Sequence, residues 1–219
     1  MLVDMHVHTT TSSPCAFMDP DSMLEWARST GLDAVCVTEH DEVAGAEVAW
    51  ELGRRKGFRV FRGVEIYTDL GDMLVFGLLK DARSLQVPYR ELLAEVHEAG
   101  GIVIPAHPCR GLRDLHAILG EEAAEGLLTT CDALETLNGG TARENNAIAA
   151  AAARRYGLPG IGGSDAHHLV QIGRCLTEFE REPRDEVELI EEVRAGRCRA
   201  LYMEEAPSLR WPGSKGTLI

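Results

Sequence analysis

The sequence predicts an α/β protein built on a mainly parallel sheet, open or closed into a barrel. Three observations predict it. Short apolar runs alternate with longer helix-period segments from end to end, the pattern of repeated βα units. The 219 residues suffice for a single domain with its own core. Histidines and acids recur at the carboxyl ends of the expected strands, the rim on which βα loops converge.

The elements follow in order. Leu2–Met5 opens as a strand; Asp19-Pro20 then supplies an N-cap and a proline at the first helical position, and Gly31 stops that helix. Ala34–Thr38 is the second strand, and the helix Val43–Lys56 ends at Gly57. Val60–Val64 and Met73–Leu79 are apolar strands, followed by the helix Pro88–Ala99, which closes on Gly100-Gly101. Ile102–Pro105 is the next strand, and Leu112–Leu128 reads as two short helices broken near Gly120. Ala133–Leu137 leads to the alanine-rich helix Arg143–Tyr156, stopped by Gly157 with Pro159 beyond. Gly160–Gly163, the helix Glu186–Ala195 before Gly196, and the strand Arg199–Met203 complete the series. No repeat or linker interrupts it, so residues 1–206 are read as one domain and 207–219 as an irregular tail rich in proline and glycine.

Composition narrows the function. With 22 Lys+Arg against 35 Asp+Glu the net charge is −13, which disfavours long nucleic acid as a partner. The six cysteines stand singly, without a CxxC pair, and read as reduced thiols of a cytoplasmic protein. No signal-peptide pattern opens the chain and no apolar stretch approaches a membrane span. Oligomeric state is not legible.

The chemistry gathers at the strand ends: His6 and His8 in DMHVH, His40 in VTEHD, Glu65 in RGVEI, His107 in IPAHP, Asn138 in LETLNGG, and Asp165 and His167 in GGSDAHH. His6 and His8 are two apart, so on a strand both imidazoles point to one side and can grip one ion. Asp165 and His167 repeat that spacing, and Glu65 can bridge two ions. Imidazole with carboxylate suits zinc, manganese or iron. Divalent ions would outweigh Glu65, Asp72 and Asp165 and make a positive pocket in an acidic protein, attractive to a small phosphorylated substrate. His97 and His116 lie in helical patterns and read as surface residues.

Taken in order, DMHVHTT, VTEHD, RGVEIYT, PAHP, LETLNGG and GGSDAHH resemble the PHP (polymerase and histidinol phosphatase) domain family over nearly the whole chain. The resemblance implies a distorted seven-stranded (β/α)7 TIM-like barrel, a catalytic domain over 1–206, and two or three divalent ions (Mn, Zn or Fe). It also implies phosphoester hydrolysis. Carried over residue by residue, one ion takes His6, His8, Glu65 and Asp165; a second takes His40 and His167; a third shares Glu65 and adds His107. The sequence departs from the family twice. Ser13, Pro14 and Cys15 stand where relatives place an Asp or His after HxHT, and Asp72 stands where many have a third-site histidine.

A metal-bound phosphate also needs a cationic clamp. Arg110 in HPCR is the first candidate and Arg143 the next, while Asp41 beside His40 can accept a proton or orient a ligand. Two other functions compete. An amidohydrolase barrel also begins with HxH, but no lysine falls at a strand end here. A non-catalytic metal-binding accessory module is the third reading.

Overall fold

The computed structural model describes residues 1–82, 85–111 and 115–210. Strands β1 (Leu2–Val7), β2 (Ala34–His40) and β3 (Arg59–Thr68) are parallel neighbours, connected through helices α1 (Pro20–Thr30) and α2 (Ala44–Lys56). Asp19 caps α1 by accepting the Ser22 N–H at 3.0 Å, and Gly31 ends it at φ 91°, as its sequence requires.

The mainly parallel sheet is where the expectation needs correction. Only Asp69 and Leu70 separate β3 from β4 (Gly71–Phe76), far short of the dozen or more residues a parallel crossover needs. β4 therefore folds back antiparallel on β3. Helix α3 (Tyr89–Glu98) leads to β5 (Ile102–Pro105), antiparallel to β4. At the other edge β8 (Cys175–Phe179), a strand the hydropathy pattern did not single out, runs antiparallel to β1, and β9 (Cys198–Tyr202) antiparallel to β8 across α7 (Glu186–Arg194). The order is β5-β4-β3-β2-β1-β8-β9.

After the short helices α4 (Leu115–Leu119) and α5 (Glu121–Leu128), β6 (Leu134–Asn138) and β7 (Gly160–Gly163) form a separate parallel pair joined by α6 (Arg143–Tyr156). The expected distorted (β/α)7 TIM-like barrel takes the form, among the described residues, of a curled seven-stranded sheet with a two-stranded sheet laid against it. Isolated bonds tie the two together. His8 N–H donates to the Ala166 carbonyl at 3.0 Å, Gly162 N–H to Thr177 Oγ1 at 2.9 Å, and Asp132 N–H to the Val103 carbonyl at 3.1 Å.

Strands β1 to β3 are apolar on both faces because both are covered. Val35 and Val37 pack with Met23, Leu24, Ala46 and Ala49 of α1 and α2, whereas Ala34 and Cys36 join Met5, Phe61, Leu74 and Phe179 on the inner side. None of the six cysteines is in a disulfide. Among the described residues no helix is long and apolar enough to cross a membrane. Residues 207–210 are irregular; the remainder of the expected tail, and residues 112–114 of the expected helical pair, lie outside the described residues.

Candidate metal centre

The carboxyl ends of β1, β2, β3, β5 and β7 open on one rim, joined there by the amino end of the reversed β4. Within each of four overlapping groups the metal-ligating atoms lie within 4.8 Å of one another: His8, His40 and His167; His6, His107 and Asp165; His6, His8 and Glu65; Glu65, Asp72 and His107. All eight residues singled out as ligands in the sequence meet in this one cluster.

Three of the site residues are placed by unusual backbone. Asp41, His107 and Asp165, at φ 58°, 33° and 53°, are the only non-glycine residues with positive φ among the described residues. Left-handed backbone is uncommon for side-chain-bearing residues and, where over-determined by its surroundings, concentrates at functional sites. Asp41 is pinned from both sides. Its N–H donates to the Glu65 carbonyl at 2.8 Å, and its Oδ1 accepts the Tyr67 N–H at 3.2 Å.

Glu65 is the centre of the cluster. Its Oε1 is hydrogen-bonded to His107 Nε2 at 3.0 Å. Its Oε2 faces His6 Nε2 and His8 Nε2 at 3.3 Å and His40 Nδ1 at 3.0 Å, yet none of these contacts has hydrogen-bond geometry and the atom is buried without a partner. His6 Nε2 and His8 Nε2 are themselves 3.0 Å apart. Ring nitrogens converging on an oxygen they do not hydrogen-bond are directed at a shared space, and a donor set of imidazoles and carboxylates there fits a transition-metal cation.

The electrostatics agree. Burial opposes the His6 imidazolium, but Glu65, Glu135 and Asp165 outweigh it and hold the pKa well above the ordinary value. Burial also opposes charge on Glu65, yet His6, His107 and His40 keep its carboxyl well below the usual range; His6 and His8 do the same for Asp165. Burial pushes His167 down and Asp72 up, the latter reinforced by Glu65.

The other predicted residues are distributed unevenly. Arg110 pairs with Asp165 and donates to Asn138 Oδ1 at 3.1 Å, leaving its guanidinium half-exposed at the rim. Ser13 is buried; its Oγ lies 3.3 Å from His8 Nδ1, donates to Glu39 at 2.5 Å and accepts the His40 N–H at 3.2 Å. Cys15 is exposed and belongs to none of the donor groups; burial, Asp165 and Glu65 push its thiol pKa up. Arg143 turns away from the cluster to pair with Glu204, its guanidinium 4.1 Å from the Tyr202 ring centroid. His97 pairs with Asp132, and His116 is partly covered beside Glu125 and Tyr156.

Three acids behind the cluster were passed over. Glu135 Oε1 lies 3.0 Å from His6 Nδ1; Glu39 accepts from the Thr9 N–H and hydroxyl and from Ser13; Asp4 accepts N–H bonds from Ser164 and Gly173 at 2.8 Å. Burial raises Asp4 to about 6. Each is a carboxylate inside an otherwise apolar strand (LVDMHV, AVCVTEH, LETLN). That mismatch was the available signal, since buried acids need partners.

Comparison with known proteins bears on this geometry. The PHP domain family model matches residues 4–130, and a PHP-associated model matches residues 143–198. An uncharacterized protein of Methanocaldococcus jannaschii is 28% identical over 127 residues, 52% of this chain and 74% of its own length. The phosphoribosyl 1,2-cyclic phosphate 1,2-diphosphodiesterase of Eggerthella lenta is 38% identical over 66 residues, 30% of this chain and 24% of its own. Among solved structures, a two-domain Bacteroides vulgatus protein containing a PHP-like metal-dependent phosphoesterase is similar with a TM-score of 0.74 and 19% identity. The match covers 92% of this chain and 64% of that one. A Chromobacterium violaceum amidohydrolase matches at TM-score 0.63 and 17% identity, over 94% of this chain and 99% of that one.

Proposed function

The chain belongs to the PHP domain family, matched over residues 4–130, and from that membership we propose that it is a metal-dependent phosphoesterase. Its substrate is a small phosphorylated metabolite, nucleotide or short oligonucleotide, and residues 1–206 act as one catalytic domain. The observation that carries the reading is Glu65 Oε2, buried and without a hydrogen bond, facing ring nitrogens of His6, His8 and His40.

In this reading His6, His8, Glu65 and Asp165 hold one ion, His40 and His167 a second, and Glu65, His107 and Asp72 a third. Divalent ions held by these residues would supply an activated water at neutral pH and would neutralise charge on a phosphoryl group. The chain's own residues do the rest. Arg110 is, among the described residues, the one guanidinium that touches the donor set, and its planar fork suits a phosphoryl group. Asp41, fixed between the ends of β2 and β3, orients His40 or takes a proton. Glu135 and Ser13 fix the rings of His6 and His8. Asn138, which bonds Arg110 and Glu135 at once, couples the clamp to that support.

Among the described residues the amidohydrolase reading lacks a lysine in the cluster: Lys56 pairs with Asp21 and Glu25, and Lys80 with Glu95, both away from the donor set. The test is turnover of an aryl phosphate, an aryl ester and a hydantoin by manganese-loaded protein. Hydrolysis of the phosphate alone is expected. Turnover of the ester or hydantoin instead overturns the proposal, and silence on all three with metal bound favours the accessory module.

A further inference from the structure

A second groove lies at the amino ends of β1, β2 and β3, opposite the rim that carries the histidines. It encloses about 630 Å³ and is lined by Arg28 of α1, Arg54 of α2, Arg59 at the start of β3 and Arg184 before α7. Trp50 and Phe58 form its apolar wall. We propose that this groove is a binding site for an oligophosphate anion: pyrophosphate or the phosphate chain of a nucleoside polyphosphate.

The charge distribution carries the argument. Acids outnumber bases 35 to 22 in this chain, so an arginine has ample opportunity to find a carboxylate. Arg184 does, pairing with Glu188. Among the described residues, however, Arg28, Arg54 and Arg59 have none within 4.0 Å. Arg28 donates to the Lys56 carbonyl at 2.6 Å, and Arg59 to the Pro183 carbonyl at 3.1 Å. Arg54 stands 5.0 Å from the centroid of Trp50, whose ring also carries Arg62 at 4.3 Å. These contacts orient the guanidinium groups without neutralising them. Against them the lining offers only Asp33 and Glu182, and Asp33 already accepts the Leu2 N–H at 2.7 Å.

Three guanidinium groups from three segments, none with a carboxylate within 4.0 Å among the described residues, suit an anion with several oxygens at different directions. Arginine's fork matches phosphate bidentately, and an oligophosphate presents enough oxygens for all three, whereas one carboxylate does not. The seven residues of β2 separate this groove from the metal centre by roughly 20 Å at ~3.3 Å per residue, so occupancy needs no metal ligand.

Calorimetric titration of the metal-stripped full chain with pyrophosphate, in chelator, tests this. Saturable binding of one anion per chain is expected, weakened at least tenfold in the Arg28→Glu/Arg54→Glu double variant and unchanged in Glu65→Gln. Arg54→Gln, a milder change on an exposed helix face, should weaken it about threefold and serves if the double variant misfolds. A nucleoside triphosphate arm separates the sources: tighter binding than pyrophosphate identifies the nucleotide, equal binding the phosphate chain alone. No saturation, a response matched by citrate at equal ionic strength, or loss of binding in Glu65→Gln but not in the arginine variants overturns the proposal.

Discussion

Glu135 ties His6 to His107: its Oε1 lies 3.0 Å from His6 Nδ1, and its Oε2 accepts the His107 backbone N–H at 2.6 Å. The first contact turns His6 Nε2 toward Glu65 and Asp165. The second holds the end of β5 in the left-handed turn that places His107. One buried carboxylate thereby aligns donors from two strands distant in sequence, the support that metal-binding imidazoles generally require.

Glu135→Gln should therefore weaken metal binding by about 10–100-fold while leaving the fold intact, the usual cost of losing a carboxylate behind a histidine ligand. The glutamine amide retains one acceptor and cannot serve both partners. Competition against a chelator of known affinity measures the effect. Wild-type affinity in the variant would show that Glu135 is only a packing residue.

Glu65→Gln should be more damaging than Asp72→Asn. Glu65 is 1% exposed and lies within 3.3 Å of four imidazoles, whereas Asp72 is 36% exposed and 3.9 Å from His107. Elemental analysis of reconstituted protein should find a loss of more than one ion per chain in the first variant and at most one in the second. Equal losses at equal folded fraction would contradict the ranking.

The rim was legible in the sequence because its ligands break local pattern: a histidine or acid at the end of an apolar run is conspicuous. His6, His8, Glu65 and Asp165 each do so. The support behind it was harder to read. Glu39 and Glu135 stand next to or near the conspicuous residues, and their roles depend on cross-strand distances that periodicity does not contain. The direction of β4 was readable in principle, because Asp69-Leu70 is too short for a crossover, but the apolar runs Val60–Val64 and Met73–Leu79 leave residues 65–72 between them and so hide the tight turn. The edge strand Cys175–Phe179 carried too weak a pattern to be recognised alone. The contact of Arg143 with Glu204, 61 residues away, is likewise one that motif position does not contain.

Gly163→Ala should destabilise both the fold and the cluster. A Cβ at Gly163 would lie 2.4 Å from His6 Cβ and 2.8 Å from Glu135 Oε1, so β7 could not approach β1 as closely. His6 Cβ is fixed to the β1 backbone and the Glu135 carboxylate is held by His6 and His107, and overpacking of this kind costs about 1–3 kcal/mol. Thermal unfolding should show a lower midpoint, and the variant should bind metal more weakly. A variant as stable as the parent would mean that β7 shifts freely against β1.

Metal loading should release protons, and the sign follows from His6. Glu65, Glu135 and Asp165 raise its pKa well above 6.5 in the metal-free chain, so at neutral pH the folded protein holds a proton there that a metal ligand cannot keep. Below the unfolded value of 6.5 this protonated His6 contributes its full stabilisation to the metal-free fold; the contribution is lost as pH rises through the raised folded value. Metal affinity must run the other way, rising by up to about tenfold per pH unit for each proton displaced until that value is passed. Calorimetric loading at pH 7 in buffers of different ionisation enthalpy should count at least one proton released per chain. Zero release, with metal bound at the expected stoichiometry, would mean that His6 is already neutral and that the three carboxylates do not control it.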